Sequence, residues 1–418
     1  MGYRGKSAAL SRADSNSGYK AYRLGTHRTV SPAETVARIR PVLRDMGITR
    51  VANVTGLDRI GIPVVMVCRP NSRSIAVTQG KGLDLDAAKA SGLMEAVEVY
   101  HAERVDHPLK LASRDDLSHS HPVVDVDALP RLAADKFHAN LRTLWIEGNN
   151  LLTDSPTWLP YEMVHTNYTL PHLPGSGCFV ASTNGLASGN HRLEAIAHGI
   201  AEVIERDSTS LWSQMELSRQ SRTRIDLDTV DEDSCRDVLD RLERAQLSVA
   251  VWDTTTDVGV PAFYCLITDN RSDTAHSGEG AGCHPARHIA LLRALTEAVQ
   301  VRTTYITGAR DDLLPEEYTA SGIAQKLGRA RALMRARVPT RDFRSVPTQE
   351  SVTFEEDVVW MLARLRACGI VQVIAVDLTK AEFGLPVMRI VIPGLEGPHD
   401  HDAYVPGPRA GAVREGRA

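Results

Sequence analysis

Aromatic residues make up only 5% of the 418-residue chain, too few for the stacking platforms that grip single-stranded nucleic acid. A basic excess is missing as well. Lys and Arg total 48 against 52 Asp and Glu, a net charge of −4, whereas nucleic-acid proteins carry a positive footprint. No apolar run reaches the ~18 residues a membrane span needs. The first 30 residues hold six basic side chains and one acid but lack the apolar core of a signal peptide. Lys6 stands where a myristoylation signal needs Ser or Thr. The cysteines Cys68, Cys178, Cys235, Cys265, Cys283 and Cys368 form no CxxC and read as free thiols of a reduced cytosol. Neither GxxxxGK[ST] nor the protein-kinase motif set occurs. A nucleotide site would therefore have to be built from side chains on helices. What remains is an ordinary globular composition, 43% apolar and 24% charged, long enough for two or three domains or one large α/β enzyme.

Residues 1–30, rich in Arg, Ser, Gly and Tyr, read as an extended basic arm. Ser31-Pro32-Ala-Glu34 is a capping box that starts a helix, which Gly47 ends. Strands are expected at Arg50–Thr55, Pro63–Cys68 and Ser74–Thr78, and a helix from Leu85 to Arg104. Leu144–Glu147 reads as a strand, and Asp154–Gly177, with its prolines, as an ordered loop. Phe179–Ser182 is short and strand-like, and a long helix follows over Asn190–Gln214. The second half predicts helices over 233–245, Pro285–Gly308, 317–335 and 354–367. Its strands are expected at Ser248–Trp252, Ala262–Thr268, Ile370–Asp377 and Val387–Ile392, and Gly278–Gly282 reads as a turn. Helices and strands alternate without a βαβ register, so a mixed α/β fold is expected rather than a doubly wound one.

Three of the helices carry one pattern: a residue, three spaces, Glu, two spaces, Glu or Gln. They are Ser91/Glu95/Glu98, His198/Glu202/Glu205 and Arg293/Glu297/Gln300. On the long helix, Glu194 and Glu205 differ by only ~20° in azimuth and Glu202 lies ~80° from Glu194. Solvated acidic faces usually place Lys or Arg four residues after each Glu. Here only Glu202 has one, Arg206. Flanking apolar residues such as Leu93, Met94, Ala96 and Val97 argue for partial burial, and buried carboxylates need cations. A hard divalent ion shared with phosphate is one reading; a solvated acidic face is the other.

Other motifs carry less. His399-Asp400-His401-Asp402 suits no single-helix metal site and reads as a solvated turn. Cys178 in its Gly-rich loop is a candidate sulfur acceptor, or an idle thiol. Arg50, Arg59 and Lys81 are candidate phosphate contacts or surface charges. Asp311-Asp312 reads as helix-end solvation, and Cys283-His284 has nothing to fix it near a ligand.

The combined motifs resemble the YcaO superfamily over roughly residues 48–408. They are Thr55-Gly-Leu57-Asp58-Arg59-Ile-Gly61-Ile-Pro63, Gly80-Lys81-Gly82 with Ser91, Glu95 and Glu98, and Asn184-Gly-Leu-Ala187-Ser-Gly-Asn190 running on to Glu194, Glu202, Glu205, Arg206 and Asp207. Arg293-Ala-Leu-Thr-Glu297-Ala-Val-Gln300-Val-Arg302 and Val391-Ile-Pro393-Gly394-Leu395-Glu396 complete the set. The resemblance implies a mixed α/β YcaO-type fold over 31–408, with carboxylate-bearing helices around an ATP/Mg²⁺ site and a flexible tail over 409–418. It also implies an enzyme that phosphorylates a backbone amide oxygen of a peptide or protein. By the resemblance, Glu95, Glu98, Glu202 and Glu205 hold Mg²⁺. Asn190, Glu194, Arg206, Glu297 and Gln300 line the nucleotide, with Ser91, Arg293 and Lys81 as weaker candidates. Glu205 and Arg206 are the catalytic candidates. Ala187 departs from members with Ser there, and Tyr100 from members with Arg.

Lys20-Ala-Tyr-Arg-Leu-Gly25-Thr26-His27-Arg28, Gly47-Ile-Thr-Arg50-Val-Ala-Asn53 and Tyr404-Val-Pro406-Gly-Pro408 look like members encoded beside TfuA-type partners. That branch implies sulfur attack and a thioamide in a ribosomally made peptide or protein. It implies a TfuA-like partner protein and sulfide or another sulfur donor. The alternatives are azoline formation on Cys, Ser or Thr, and a non-catalytic ATP-binding scaffold. A cytoplasmic protein is expected, with no nucleic acid and no membrane; a homodimer stays open.

Overall fold

The computed structural model describes residues 18–133, 136–272, 274–335, 341–399 and 404–417. The first helix, α1 (Pro32–Ile39), has the expected capping box. Glu34 N donates to Ser31 Oγ at 3.2 Å and Ser31 N to the Glu34 carboxylate at 2.9 Å. Strands β1 (Arg50–Asn53), β2 (Val64–Cys68) and β3 (Val77–Lys81) form an antiparallel sheet in the order β1-β2-β3. Helix α2 (Leu85–Glu103) follows, then β4 (Leu109–Ala112), the short α3 (Arg114–Ser118), β5 (Thr143–Asn150), β6 (Ser155–Pro160) and β7 (Leu186–Ser188). Next come α4 (Arg192–Ser213), α5 (Leu217–Arg222), β8 (Ile225–Asp226), α6 (Asp233–Arg244), β9 (Leu247–Asp253), β10 (Ala262–Asp269) and β11 (Gly278–Cys283). The chain continues through α7 (Arg287–Thr307), α8 (Ala320–Arg335), β12 (Arg341–Asp342), α9 (Phe354–Ala367), β13 (Ile374–Asp377), β14 (Val387–Val391) and α10 (Pro408–Arg414).

These elements build a mixed α/β fold in two compact units. Among the described residues, the first gathers 18–21, 98–210 and 351–417, and the second 22–97 and 211–350. The division falls inside α2, after Val97, and inside α4, after Ser210. The first unit is built on an antiparallel sheet in the order β4-β5-β13-β14-β7, with β6 paired to β5. Trp145, Ile146, Leu159, Ile374, Val387 and Ile390 are buried along it. In the second unit, α6 and α7 pack their apolar faces on β9–β11, around Val251, Phe263, Cys265 and Ile267. Strands β8 and β12 pair in parallel. No helix among the described residues is long and apolar enough to cross a membrane.

Several expectations are corrected. Gly278–Gly282 is no turn: it is β11, antiparallel to β10. The glycines serve close packing. A Cβ at Gly278, Gly280 or Gly282 would sit 2.1, 2.4 or 2.1 Å from the α7 backbone oxygens of Ala298, Ala294 and Ala290. Lys81, expected after a strand, ends one. Part of the Asp154–Gly177 loop is β6, and Phe179–Ser182 contributes only an isolated bridge between Phe179 and Arg131. Residues 18–30 of the expected arm are built into the fold, with Lys20 N donating to Val352 O at 3.0 Å and Tyr22 pairing with Arg28. The remainder of that arm, 1–17, lies outside the described residues. In the expected tail, α10 extends to Arg414 with Ala410 and Val413 buried; Ala418 lies outside the described residues, as do Asp400, His401 and Asp402 of the His/Asp motif.

Candidate active site

Helix α4 is anchored by buried Leu193, Ile196, Ile200, Val203 and Ile204. Within this apolar company Glu194 and Glu205 are 1% and 3% exposed, while Glu202 and Arg206 are half-buried. Arg206 Nη2 lies 3.7 Å from Glu205 Oε1. The chain enters the helix from β7. Gly185, at φ +79°, passes so close to β14 that a Cβ would meet Ile390 O at 2.2 Å. Ser188 then donates to Glu98 Oε1 twice, from N at 2.8 Å and from Oγ at 2.7 Å. Asn190, just before α4, is half-buried.

One residue past Arg206, Asp207 is fully buried and receives Arg409 through Nε and Nη2, both at 3.0 Å, and Glu396 N at 2.9 Å. Burial pushes its pKa up to about 6, against the pull of Arg409. Glu396 in turn accepts from Ala410 N and Gly407 N at 2.8 Å and from the Tyr404 hydroxyl at 2.5 Å. These carboxylates tie residues 404–410 to the middle of α4, a role their place in the motifs did not disclose.

In the second unit, Lys81 Nζ meets Glu297 Oε2 at 2.5 Å, so this lysine is paired with a candidate nucleotide residue. Arg293, Glu297 and Gln300 lie along α7, half-buried; the Cβ positions of Gly280 and Gly282 fall 2.8 and 2.9 Å from Glu297 Cβ and Arg293 Cβ. Ser91 is exposed on α2. Half-buried Glu95 accepts from Gln79 N at 3.2 Å. Loss of water pushes its pKa up, opposed by the charges of Arg310 and Lys81. Neither Gln79 nor Arg310 was singled out in the sequence. Gln79 is 2% exposed, and its side-chain oxygen accepts from the Thr304 hydroxyl; a single polar residue inside a strand gives no signal of such a role.

Other candidates find structural roles. Arg59 donates to Asp269 and to Ala245 O, each at 2.8 Å, in a network that Arg302 joins through Asp58 and Asp269. It is a structural ion-pair residue. All six cysteines are free thiols. Cys178 is buried with Sγ 3.6 Å from Gly175 O, and burial pushes the Cys235 thiol up to about 12. Among the described residues, no three His, Cys, Asp or Glu side chains converge on one metal-sized point. The donor chemistry nevertheless suits ATP and Mg²⁺. Carboxylate oxygens are what a hard divalent ion takes, and Lys81 and Arg206 match phosphate charge.

A family model described as YcaO cyclodehydratase, ATP- and Mg²⁺-binding, matches residues 79–396. The chain is 37% identical over 381 residues to an uncharacterized protein of the tfuA 3′ region of Rhizobium leguminosarum bv. trifolii, covering 88% of each. Its fold is similar to YcaO from Methanopyrus kandleri bound with AMPPCP and Mg²⁺, with TM-score 0.75, 24% identity, 94% of this chain and 98% of that one. It is also similar to a heterocyclase in complex with substrate and cofactor, with TM-score 0.74, 22% identity, 93% of this chain and 55% of that one. The carboxylate-bearing helices and the family match lead to one assignment: the chain belongs to the YcaO family, whose members are described as binding ATP and Mg²⁺.

Proposed function

We propose that this chain activates a backbone amide of a ribosomally made peptide or protein by ATP-dependent O-phosphorylation, and that sulfur then replaces the phosphorylated oxygen to give a thioamide. The observation that carries the reading is the acidic face of α4, where Glu194 and Glu205 are buried beside Glu202 and Arg206. Burying carboxylates is costly unless cations meet them. In this reading Glu95, Glu98, Glu202 and Glu205 hold Mg²⁺. Asn190, Glu194, Arg206, Glu297 and Gln300, with Ser91, Arg293 and Lys81, line ATP. Bound Mg²⁺ offsets the charge of the transferring phosphoryl group. Ser188 holds Glu98 in orientation. Arg206 presents a planar donor pair to phosphate, and Lys81 exchanges Glu297 for a phosphate oxygen. An amide carbon is a poor electrophile and its oxygen a poor leaving group; phosphorylation eases both. The sulfur branch, with a TfuA-like partner and sulfide or another donor, is supported by the relative from the tfuA 3′ region.

The test combines the purified chain, a TfuA-like partner, ATP, Mg²⁺, sulfide and a candidate peptide, read by mass spectrometry. The expected product has one oxygen replaced by sulfur. Loss of water instead would indicate azoline formation, and no ATP binding or turnover would overturn the enzyme reading. Glu205→Gln is expected to lower ATP turnover about a hundredfold or more with an unchanged unfolding midpoint; undiminished turnover would remove Glu205 from the metal set.

A further inference from the structure

Helices α5 and α8 of the second unit carry Arg219, Arg222, Lys326, Arg329, Arg331 and Arg335 and no acid, although acids outnumber bases in the chain, 52 to 48. Basic last turns suit a helix dipole, which accounts for Arg219, Arg222 and Arg335 but not for Arg329 and Arg331. Arg331 and Arg335 stand four apart, a like-charge spacing that costs a helix stability. The neighbouring carboxylates are engaged elsewhere. Glu317 meets Lys326 and the Tyr305 hydroxyl, Asp253 lies 2.9 Å from Arg341, and Glu279 accepts from the Tyr264 hydroxyl at 2.6 Å. Glu216 precedes α5, at the end opposite Arg222. Arg222, Arg329 and Arg335 are exposed, and among the described residues none of the three meets a carboxylate.

The two helices are fixed to each other at their ends. Arg224, just past α5, donates from Nη1 to Met334 O at 2.6 Å, and Arg341 N donates to Arg224 O at 2.6 Å. Leu327 and Ala330 turn one face of α8 inward, Ala330 against Trp252 and Leu266. On the outer face, exposed Gly328 and Ala332 form a small, neutral stripe. At 100° per residue, Arg331 lies ~60° from Gly328 on one side and Arg329 ~60° from Ala332 on the other. Such a floor between arginines admits an extended backbone. Successive residues of an extended chain point to opposite sides, so neighbouring acids reach both walls, and a guanidinium matches a carboxylate with two parallel bonds. Nucleic acid fits less well, because neither helix carries an aromatic side chain on which a base could stack. A folded partner needs about 800 Å² on its side of a stable interface. A 16-residue helix face is only ~24 Å long and ~10 Å wide, which suits a single extended segment.

We propose that the α5–α8 face docks an extended acidic segment of the peptide substrate. The occupant's identity as substrate rests on the function proposed above; the recognition of an acidic chain does not, and its test uses no nucleotide. The full chain is titrated calorimetrically with an amidated peptide of six glutamates flanked by Gly-Ser, with its six-glutamine counterpart and with a single-stranded RNA ten-mer. The glutamate peptide is expected to bind saturably, with the glutamine peptide and the RNA each about tenfold weaker or worse. Raising salt from 0.05 to 0.5 M should weaken it at least about tenfold, since exposed charges are screened. Arg222→Gln, Arg329→Gln and Arg335→Gln together are expected to weaken it about tenfold or more. Arg38→Gln, Arg40→Gln and Arg44→Gln remove the same charge around α1 and should leave binding unchanged. Ala332→Phe keeps every arginine, raises the floor and is expected to weaken binding as well. Unfolding midpoints confirm that each variant is folded. Absent binding of the glutamate peptide to the wild type, equal binding of the glutamine peptide, tighter binding of the RNA, or equal losses in the α1 and α5–α8 triple variants would overturn the proposal. So would undiminished binding in both the α5–α8 triple variant and Ala332→Phe. ATP turnover is read separately. Its absence with glutamate-peptide binding intact would overturn the function proposed above and leave the acidic-segment site standing.

Discussion

His165 is 6% exposed, packed at 4.6 Å against the Tyr161 ring, and its Nδ1 accepts from Asn167 N at 3.1 Å. Burial first, and the charge of Arg389 second, hold its pKa down at about 4. In the unfolded chain the ring titrates near its ordinary value of 6.5. Between those values the unfolded state binds a proton that the folded state refuses. The contribution to stability is therefore complete above pH 6.5 and lost as pH falls through 4, amounting to about 3 kcal/mol. His165→Asn keeps an acceptor for Asn167 N and does not titrate. Urea unfolding at pH 7 and pH 4.5 is expected to show a larger acid loss for the wild type than for the variant; parallel losses would mean the folded protein accepts that proton. At this scale the sequence disclosed which residues carry charge, and the offsets of three and four on α2, α4 and α7 were readable. Their partners were not. Lys81 meets Glu297 216 positions away, and Arg409 meets Asp207 202 positions away. Periodicity reports neighbours within one element only.

Elements with their own start and stop signals were legible. Ser31 and Glu34 capped α1 as expected, and the long helix expected over Asn190–Gln214 became α4 at Arg192–Ser213. Strand β11 was not legible, because glycine marks both a turn and a close crossing of backbones. The two uses differ in what they predict. Gly280→Ala places a Cβ 2.4 Å from Ala294 O and Ala298 N of α7, where the neighbouring atoms are backbone and cannot swing away. A cost of about 3 kcal/mol is expected. Gly328 lies inside α8 with open space around its Cβ position and no left-handed φ. Gly328→Ala is expected to stabilise by roughly 0.5–1 kcal/mol, since alanine loses less backbone freedom on forming a helix. Denaturant midpoints of the two variants should move in opposite directions; a neutral Gly280→Ala would mean that α7 and β11 are not held at this separation.

At the scale of the whole molecule, a reading that moves along the chain could not see that one compact unit is made of three separated stretches. A basic arm followed by a domain was the natural expectation, since Lys20 sits among Ser, Gly, Tyr and Arg with no apolar pattern around it. In the fold Lys20 is 1% exposed, its Nζ lies 2.6 Å from Asp357 Oδ2, and it donates to Ser351 Oγ at 2.7 Å. The Ser351 hydroxyl also donates to Asp357, whose pKa burial pushes up and Lys20 pulls down. This ion pair joins the N-terminal stretch to the first turn of α9. Lys20→Met leaves a carboxylate buried without its cation, and a loss of about 3–5 kcal/mol is expected. Adding Asp357→Leu removes the stranded charge and should return most of that loss, because two apolar side chains tolerate a dry site that one carboxylate does not. The pair is then measured as a double-mutant cycle of denaturant midpoints. Strong coupling is the expected result. Additive single effects would mean that the N-terminal stretch lies against α9 without being held by the charge on Lys20.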